Sequence, residues 1–368
     1  MQAFASTCRI LAILCAPLLF RSIFLNEADF KRQRRLAGTV QAVGELVHEF
    51  KVTLQPGSTD DKKSRVYQML AKMPNIRALT VIHRREDTAG HDTFLSTINQ
   101  FPQIESLTLQ EWHYNPAFNS LPPPGVEVSQ TFFHQFLHKV VEIHGHRLKV
   151  LHLSTLLPLS EDLYIKIRDF IPNLRQITLN GSVNAELHDQ FSKPILWASG
   201  KTGSLESLTL NNCAGVHPGH FALNVIHGAY GNHLKSVRLI ACGYTHGGPH
   251  PFPPASTPVQ ATVDRLHLDH MYGWELKALS LIPVQDLSLT TLFPVDILQL
   301  PALLATGFVG MRKMRLIPRM ASIESWENVS KEGGVVYKEV QQRCLDRGVQ
   351  LSFDAVAWPN ACTWHEHI

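Results

Sequence analysis

The sequence predicts a right-handed α/β solenoid, with a parallel sheet lining its concave side and helices covering its convex side. Three observations predict it. An apolar-x-x-apolar-x-apolar phrase recurs down the chain. Apolar residues at helical spacing lie between the copies, and prolines stand where each helix must stop before the next strand.

The phrase reads Ile76, Leu79, Val81; Ile104, Leu107, Leu109; Leu148, Leu151, Leu153; and Leu174, Ile177, Leu179. It continues with Leu205, Leu208, Leu210; Leu234, Val237, Leu239; Val263, Leu266, Leu268; Val284, Leu287, Leu289; and Met311, Met314, Leu316, after a weaker copy at Val47, Phe50, Val52. Successive last apolar positions of the nine main copies lie 28, 44, 26, 31, 29, 29, 21 and 27 residues apart, mostly near the leucine-rich-repeat period. Each copy reads as a short strand with alternate residues inward. No single repeat can bury its apolar face alone, so neighbours must stack.

The connecting stretches supply the helices. Val66, Leu70 and Met73 share one helical face, as do Phe132, Phe136, Val140 and Ile143, and then Leu163, Ile167 and Phe170. Proline recurs at the helix-to-strand junction, in Met73-Pro-Asn, Phe101-Pro-Gln and Ile171-Pro-Asn, where it ends the helix. Two stretches break the register, near 112–130 (Leu121-Pro-Pro-Pro-Gly) and 243–259 (Gly247-Gly-Pro-His-Pro-Phe-Pro-Pro), and read as long surface loops. Val336 to Asp346 reads as a helix and Gly348 to Phe353 as a last strand, capping the array before a tail at 356–368.

Composition bounds the class of function. The chain has 368 residues, 44% apolar and 18% charged, enough to bury a large core, and a net charge of +3 is too weak to indicate nucleic acid. Six separated cysteines without C-x-x-C read as reduced thiols; Cys213 and Cys242 occupy the Asn/Cys position after the strand, as small buried groups. Residues 10–20 are apolar but too short to span a bilayer and lack a small-x-small cleavage site, so no membrane association is expected. The expected compartment is the cytoplasm or nucleus, with secretion only if residues 1–20 act as a signal peptide.

Chemistry motifs fail one by one. Gly200-Lys-Thr202 has Ile195 where a phosphate loop requires glycine. The histidine spacings His217/His220, His134/His138 and His267/His270, and the tail set Cys362, His365, His367, have neither H-E-x-x-H form nor a partner C-x-x-C. No G-x-S-x-G elbow is present. The expectation is therefore a non-enzyme without catalytic residues, cofactor or metal. The run Lys31-Arg-Gln-Arg-Arg35 reads first as a solvated face, with a nuclear address as the alternative.

The outward residue between the last two apolar positions of each repeat reads Thr80, Thr108, His152, Thr178, Thr209, Arg238, His267, Ser288, Arg315, turning basic toward the C-terminal half. Arg265 and Lys313 stand two residues before His267 and Arg315 and share that face. His152, Arg238, Arg265, His267, Lys313 and Arg315 are the candidate partner-binding residues, for an acidic or phosphorylated protein segment. The competing reading is that charges on an exposed sheet simply keep it soluble.

The N-terminus adds a family resemblance. Phe4-Ala-Ser-Thr-Cys-Arg9, Leu11 and Ala16-Pro-Leu-Leu-Phe-Arg-Ser-Ile23 resemble the closing helix of an F-box and the link into its repeats in fungal F-box/leucine-rich-repeat proteins. An F-box usually starts with a Leu-Pro phrase and none precedes Met1, so the resemblance is to an N-terminally truncated F-box at 1–25 ahead of a solenoid at 26–355. It implies substrate recruitment to a Skp–cullin ubiquitin ligase, with Cys8, Leu11, Leu14, Pro17 and Leu18 as adaptor-binding residues and the Skp adaptor and cullin as partners. The alternatives are a free-standing repeat scaffold with no ligase link and a secreted recognition protein.

Overall fold

Each copy of the repeated phrase lays down a strand because its alternate apolar side chains need a common buried face. All the apolar positions of the nine copies and of the weaker first copy are buried. Removing each such side chain from water stabilises the fold by roughly 1.5–3 kcal/mol. The computed structural model describes residues 15–26, 30–54, 68–84, 104–112, 132–155, 163, 166–167, 171–181, 205–211, 213, 234–240, 242, 262–269, 276–277, 279–292, 299–318 and 338–353. The chain forms two compact units, Met1–Leu174 and Arg175–Ile368.

The first unit contains β1 (Ser22–Asn26), α1 (Phe30–Val43), β2 (Glu49–Leu54), β3 (Ala78–Arg84), β4 (Ser106–Trp112), α2 (Phe132–His144) and β5 (Val150–Ser154). Its strands pair in parallel in chain order. The second contains β6 (Gln176–Asn180), β7 (Ser207–Asn211), β8 (Ser236–Ile240), β9 (Val263–Asp269), β10 (Val284–Leu292), α3 (Leu300–Thr306), β11 (Lys313–Pro318) and β12 (Gln350–Phe353), paired in the same way. Parallel strands cannot be joined by tight hairpins, which is why 14 to 37 residues separate one strand from the next.

The sequence missed one strand. Phe20, Ile23 and Leu25 follow the repeat phrase, and β1 pairs with residues Glu49 to Thr53 of β2, burying Ile23 and Leu25. The segment read as a link thus begins the sheet. Residues 15–19 before it are helical. Helix α2 buries Phe133, Phe136, Leu137, Val140 and Val141, so its inward face includes Phe136 and Val140 as expected; Ile143 is half-buried, and the Phe132 side chain lies outside the described residues. The expected helical contacts Leu70, Met73, Leu163 and Ile167 are buried, whereas Val66 and Phe170 lie outside the described residues. Trp112 ends β4, so the first register break follows it; 113–130 and 243–259 lie outside the described residues. The basic run at 31–35 falls within α1.

The Pro-Asn junction does more than end a helix. Asn75 Nδ2 donates to Glu45 O at 2.7 Å, and Asn173 Nδ2 donates to His146 O at 2.7 Å, each fastening one repeat to an earlier one. The anchoring carbonyls sit in short 3₁₀ turns, Gly44–Leu46 and Gly145–Arg147, each opened by a buried glycine. A Cβ on Gly44 would lie 2.0 Å from Lys72 O, so only glycine lets these backbones approach.

The C-terminal end is closed as expected, by helical residues 338–346 and β12, which pairs with β11. Arg347 fastens this closure. Its guanidinium donates to Leu304 O, to Gly307 O at 3.0 Å and to Phe308 O at 2.9 Å, satisfying carbonyls at the C-terminus of α3.

Gly44→Ala should lose roughly 2–3 kcal/mol of stability because the Lys72 backbone must move. Gly38→Ala, in α1 with nothing within 4 Å of the added Cβ, should be neutral or stabilising by up to about 1 kcal/mol. Urea midpoints of the two variants compared with the parent check both values.

Candidate functional site

A parallel sheet with one buried face presents its other alternate residues in lateral rows, one residue per strand, spaced by about 4.8 Å. In the second unit the middle row runs Thr178, Thr209, Arg238, His267, Ser288, Arg315, Ser352, each aligned with the next. Arg238 and Arg315 are exposed, with His267 and Ser288 between them half-buried. Three strand spacings separate the two guanidinium-bearing residues, about 14 Å along the row.

The row below has a different balance. It runs Ser236, Arg265, Asp286, Lys313, Gln350. Asp286 stands between Arg265 and Lys313, offsetting part of the charge that the sequence assigned to those two. The excess positive charge of the middle row is therefore carried by Arg238 and Arg315. Asp269 occupies the row above, flanked by Ile240 and Thr290.

His267 registers this field. Its pKa is lowered, first by burial of the ring and then by the charge of Arg238, with Asp269 acting the other way and Arg315 adding to the depression. At neutral pH the ring is neutral and lies between two cations. The arrangement can form charge-assisted bonds to an extended chain bearing acidic groups, with Ser288 and Ser352 as neutral hydrogen-bonding neighbours.

Of the six residues nominated for partner binding, Arg238, Arg265, His267, Lys313 and Arg315 come together on this unit. His152 belongs to the first unit, at the end of the row Phe24, Lys51, Thr80, Thr108, His152. Burial lowers its pKa as well, and at the other end of that row the Lys51 ammonium lies 5.4 Å from the centre of the Phe24 ring. Among the adaptor candidates, Pro17 and Leu18 are exposed, Leu18 at 69%, and Cys8, Leu11 and Leu14 lie outside the described residues.

The cysteine expectation holds in geometry. Cys213 and Cys242 are buried free thiols. The Cys213 thiol donates to Leu179 O at 3.4 Å, and the Cys242 thiol donates to Ile240 O at 3.3 Å. Burial and the neighbouring Cys213 push the Cys242 thiol well up, which disfavours the reactive thiolate. Cys8 and Cys362 lie outside the described residues. Among those residues no group of three or more His, Cys, Asp or Glu could hold a metal ion. His134 is buried and His138 lies 4.0 Å from Glu142, while His217, His220, His270, Cys362, His365 and His367 lie outside the described residues.

A second charged row escaped the sequence reading. The residue after the first apolar position of each repeat reads Arg77, Glu105, Lys149 in the first unit and Arg175, Glu206, Lys235, Asp264, Gln285, Arg312 in the second. These residues line the edge where the strands start, and opposite charges meet there. Lys149 Nζ lies 2.8 Å from Glu105 Oε2, Lys235 Nζ 3.2 Å from Glu206 Oε2, and Arg175 4.0 Å from Glu206. Gln285 Nε2 donates to Asp264 Oδ1 at 3.3 Å. The signal was present in the sequence as a sign alternation at a fixed offset.

No protein-family model matches the chain, and no curated protein matches it. Among the described residues no helix is long and apolar enough to cross a membrane.

A histidine whose folded pKa is depressed contributes stability that is complete above its unfolded value, near 6.5, and is lost as pH falls through the folded value. Acidification below about pH 6.5 should therefore lower the urea midpoint, and His267→Gln should flatten that dependence. An unchanged slope in the variant would show that other groups carry it.

Proposed function

We propose that the chain is a leucine-rich-repeat recognition protein whose second unit binds an acidic or phosphorylated protein segment across its outward sheet face. The observation that carries this reading is the alignment of Arg238, His267 and Arg315 on one lateral row, with His267 sensing both guanidinium charges. A segment lying across the strands meets Arg238 and His267 about 4.8 Å apart, and Arg315 two strand spacings further on, beyond Ser288. The periodic apolar phrase and the Asn-to-carbonyl fastenings between repeats support the leucine-rich-repeat assignment. In this reading the protein makes or breaks no bond and needs no cofactor.

The resemblance at the N-terminus extends the proposal to a substrate receptor for a Skp–cullin ubiquitin ligase, in which ubiquitin transfer belongs to the partners. The exposed Pro17 and Leu18 support it as apolar contacts free of the core. Removing residues 1–25 is a poor test, because it would strip Ile23 and Leu25 from the buried face of β1. Leu18→Asp alters the exposed side chain alone.

Two measurements test the two parts. Anisotropy titration with acidic and phosphorylated peptides should show binding that weakens with salt, and Arg238→Glu with Arg315→Glu should weaken it at least about tenfold. Undiminished affinity in that double variant overturns the binding face. Affinity purification from native cells should recover Skp adaptor and cullin with the parent chain and lose both with Leu18→Asp. Recovery of neither with the parent chain favours the free-standing scaffold.

A further inference from the structure

In the first unit, the edge where the strands start carries an open hollow of about 370 Å³, lined by Arg77, Glu105, His146, Arg147, Lys149 and Asn173. It lies on different residues from the sheet face discussed above. Every lining residue is polar or charged. Three cationic side chains, Arg77, Arg147 and Lys149, line it with one carboxylate, Glu105, a formal excess of two positive charges.

The hollow is built on fixed backbone. Arg77 O accepts from both Glu105 N and Ser106 N, at 2.8 and 3.0 Å, and Glu105 O accepts from Lys149 N and Val150 N at 2.8 and 3.1 Å. Asn173 Nδ2 donates to His146 O at 2.7 Å and holds the 3₁₀ turn that carries His146 and Arg147. Glu105 binds the Lys149 ammonium at 2.8 Å, and this bond holds its carboxyl below the usual range, with the charge of Arg77 a smaller contribution. Arg147 Nε donates to His146 Nε2 at 3.1 Å, so a neutral His146 carries its hydrogen on Nδ1, where it is a further donor.

We infer that this hollow binds a phosphate monoester dianion. Charge and shape favour it: the formal excess of two positive charges among the Arg, Lys and Glu side chains matches a dianion, whereas a single carboxylate would leave half of it uncompensated. Two guanidinium groups also supply forked donors suited to a tetrahedral oxyanion. Glu105 has a positioning role, orienting Lys149 while opposing the anion through its own charge. The dianion could be carried by a phosphorylated protein side chain or by a small phosphorylated molecule. This inference does not depend on the proposed function of the second unit.

The test is calorimetric titration of the full chain with inorganic phosphate, phosphoserine, a phosphoserine peptide and its unphosphorylated counterpart. Saturable binding of phosphate is expected, weakened roughly tenfold by Arg77→Ala or Arg147→Ala, as for loss of a unit charge about 6 Å from a dianion in a water-like dielectric. Glu105→Gln should tighten binding by a similar factor, a gain that misfolding cannot mimic. Arg238→Glu, in the other unit, should leave it unchanged. A peptide that binds more tightly than phosphoserine identifies a protein source, and equal affinities identify a small molecule. Absence of saturable binding at millimolar phosphate, or affinities indifferent to Arg77, Arg147 and Glu105, overturns the inference.

Discussion

The structure depends on the requirement that each parallel strand hand its hydrogen bonds to the next in register through the repeat phrase, an irregularity between Thr290 and Leu292 falling just beyond it. The carbonyl just before a strand accepts two amides from its neighbour, as Arg21, His48, Arg77 and Glu105 do in the first unit and Arg175 and Glu206 in the second. Parallel pairing leaves no hairpin to set the register, so it must be set elsewhere. Here the apolar phrase sets it from inside, since a slip of one residue would turn every buried leucine outward. The fastening asparagines and the charged edge set it from outside. The lateral rows of outward side chains exist only because this register holds.

The strands were legible because their signal is doubly redundant: the phrase recurs, and each copy fixes three buried positions. β1 was harder to see because its phrase, Phe20 to Leu25, lies within a segment that also resembles the link after an F-box. The face of α2 was legible only in part. Periodicity found Phe136 and Val140, but it did not nominate Phe133, which is among the largest fully buried side chains of the described residues. The role of Gly44 was not readable at all, because it arises from the approach of a backbone nearly thirty residues later in the chain.

The candidate site was legible as a row but not as an electrostatic balance. Choosing the residue between the last two apolar positions found Arg238, His267 and Arg315, which register places on one row, with Ser288 between the last two. The same approach counted Arg265 and Lys313 as reinforcement and passed over Asp286, because a one-dimensional reading takes each strand alone while charge is summed across strands. His152 was grouped with the others on offset alone, and it belongs to the other compact unit. The charged edge was missed for a related reason: its residues are unremarkable singly, and only their alternation from one repeat to the next gives them meaning.

That alternation has a consequence for how such a chain can lengthen or shorten. At the strand-start edge a positive residue is followed by a negative one and then by a positive one, in Arg77, Glu105, Lys149 and again in Arg175, Glu206, Lys235, Asp264. Deleting the repeat that bears Glu206 would set Arg175 beside Lys235, and duplicating one repeat would set a charge beside its own copy. Like charges directly opposite on neighbouring strands are destabilising. Within each such run, losing or gaining one repeat therefore costs more than losing or gaining two, while the consecutive Lys149 and Arg175 show that the alternation does not extend along the whole row.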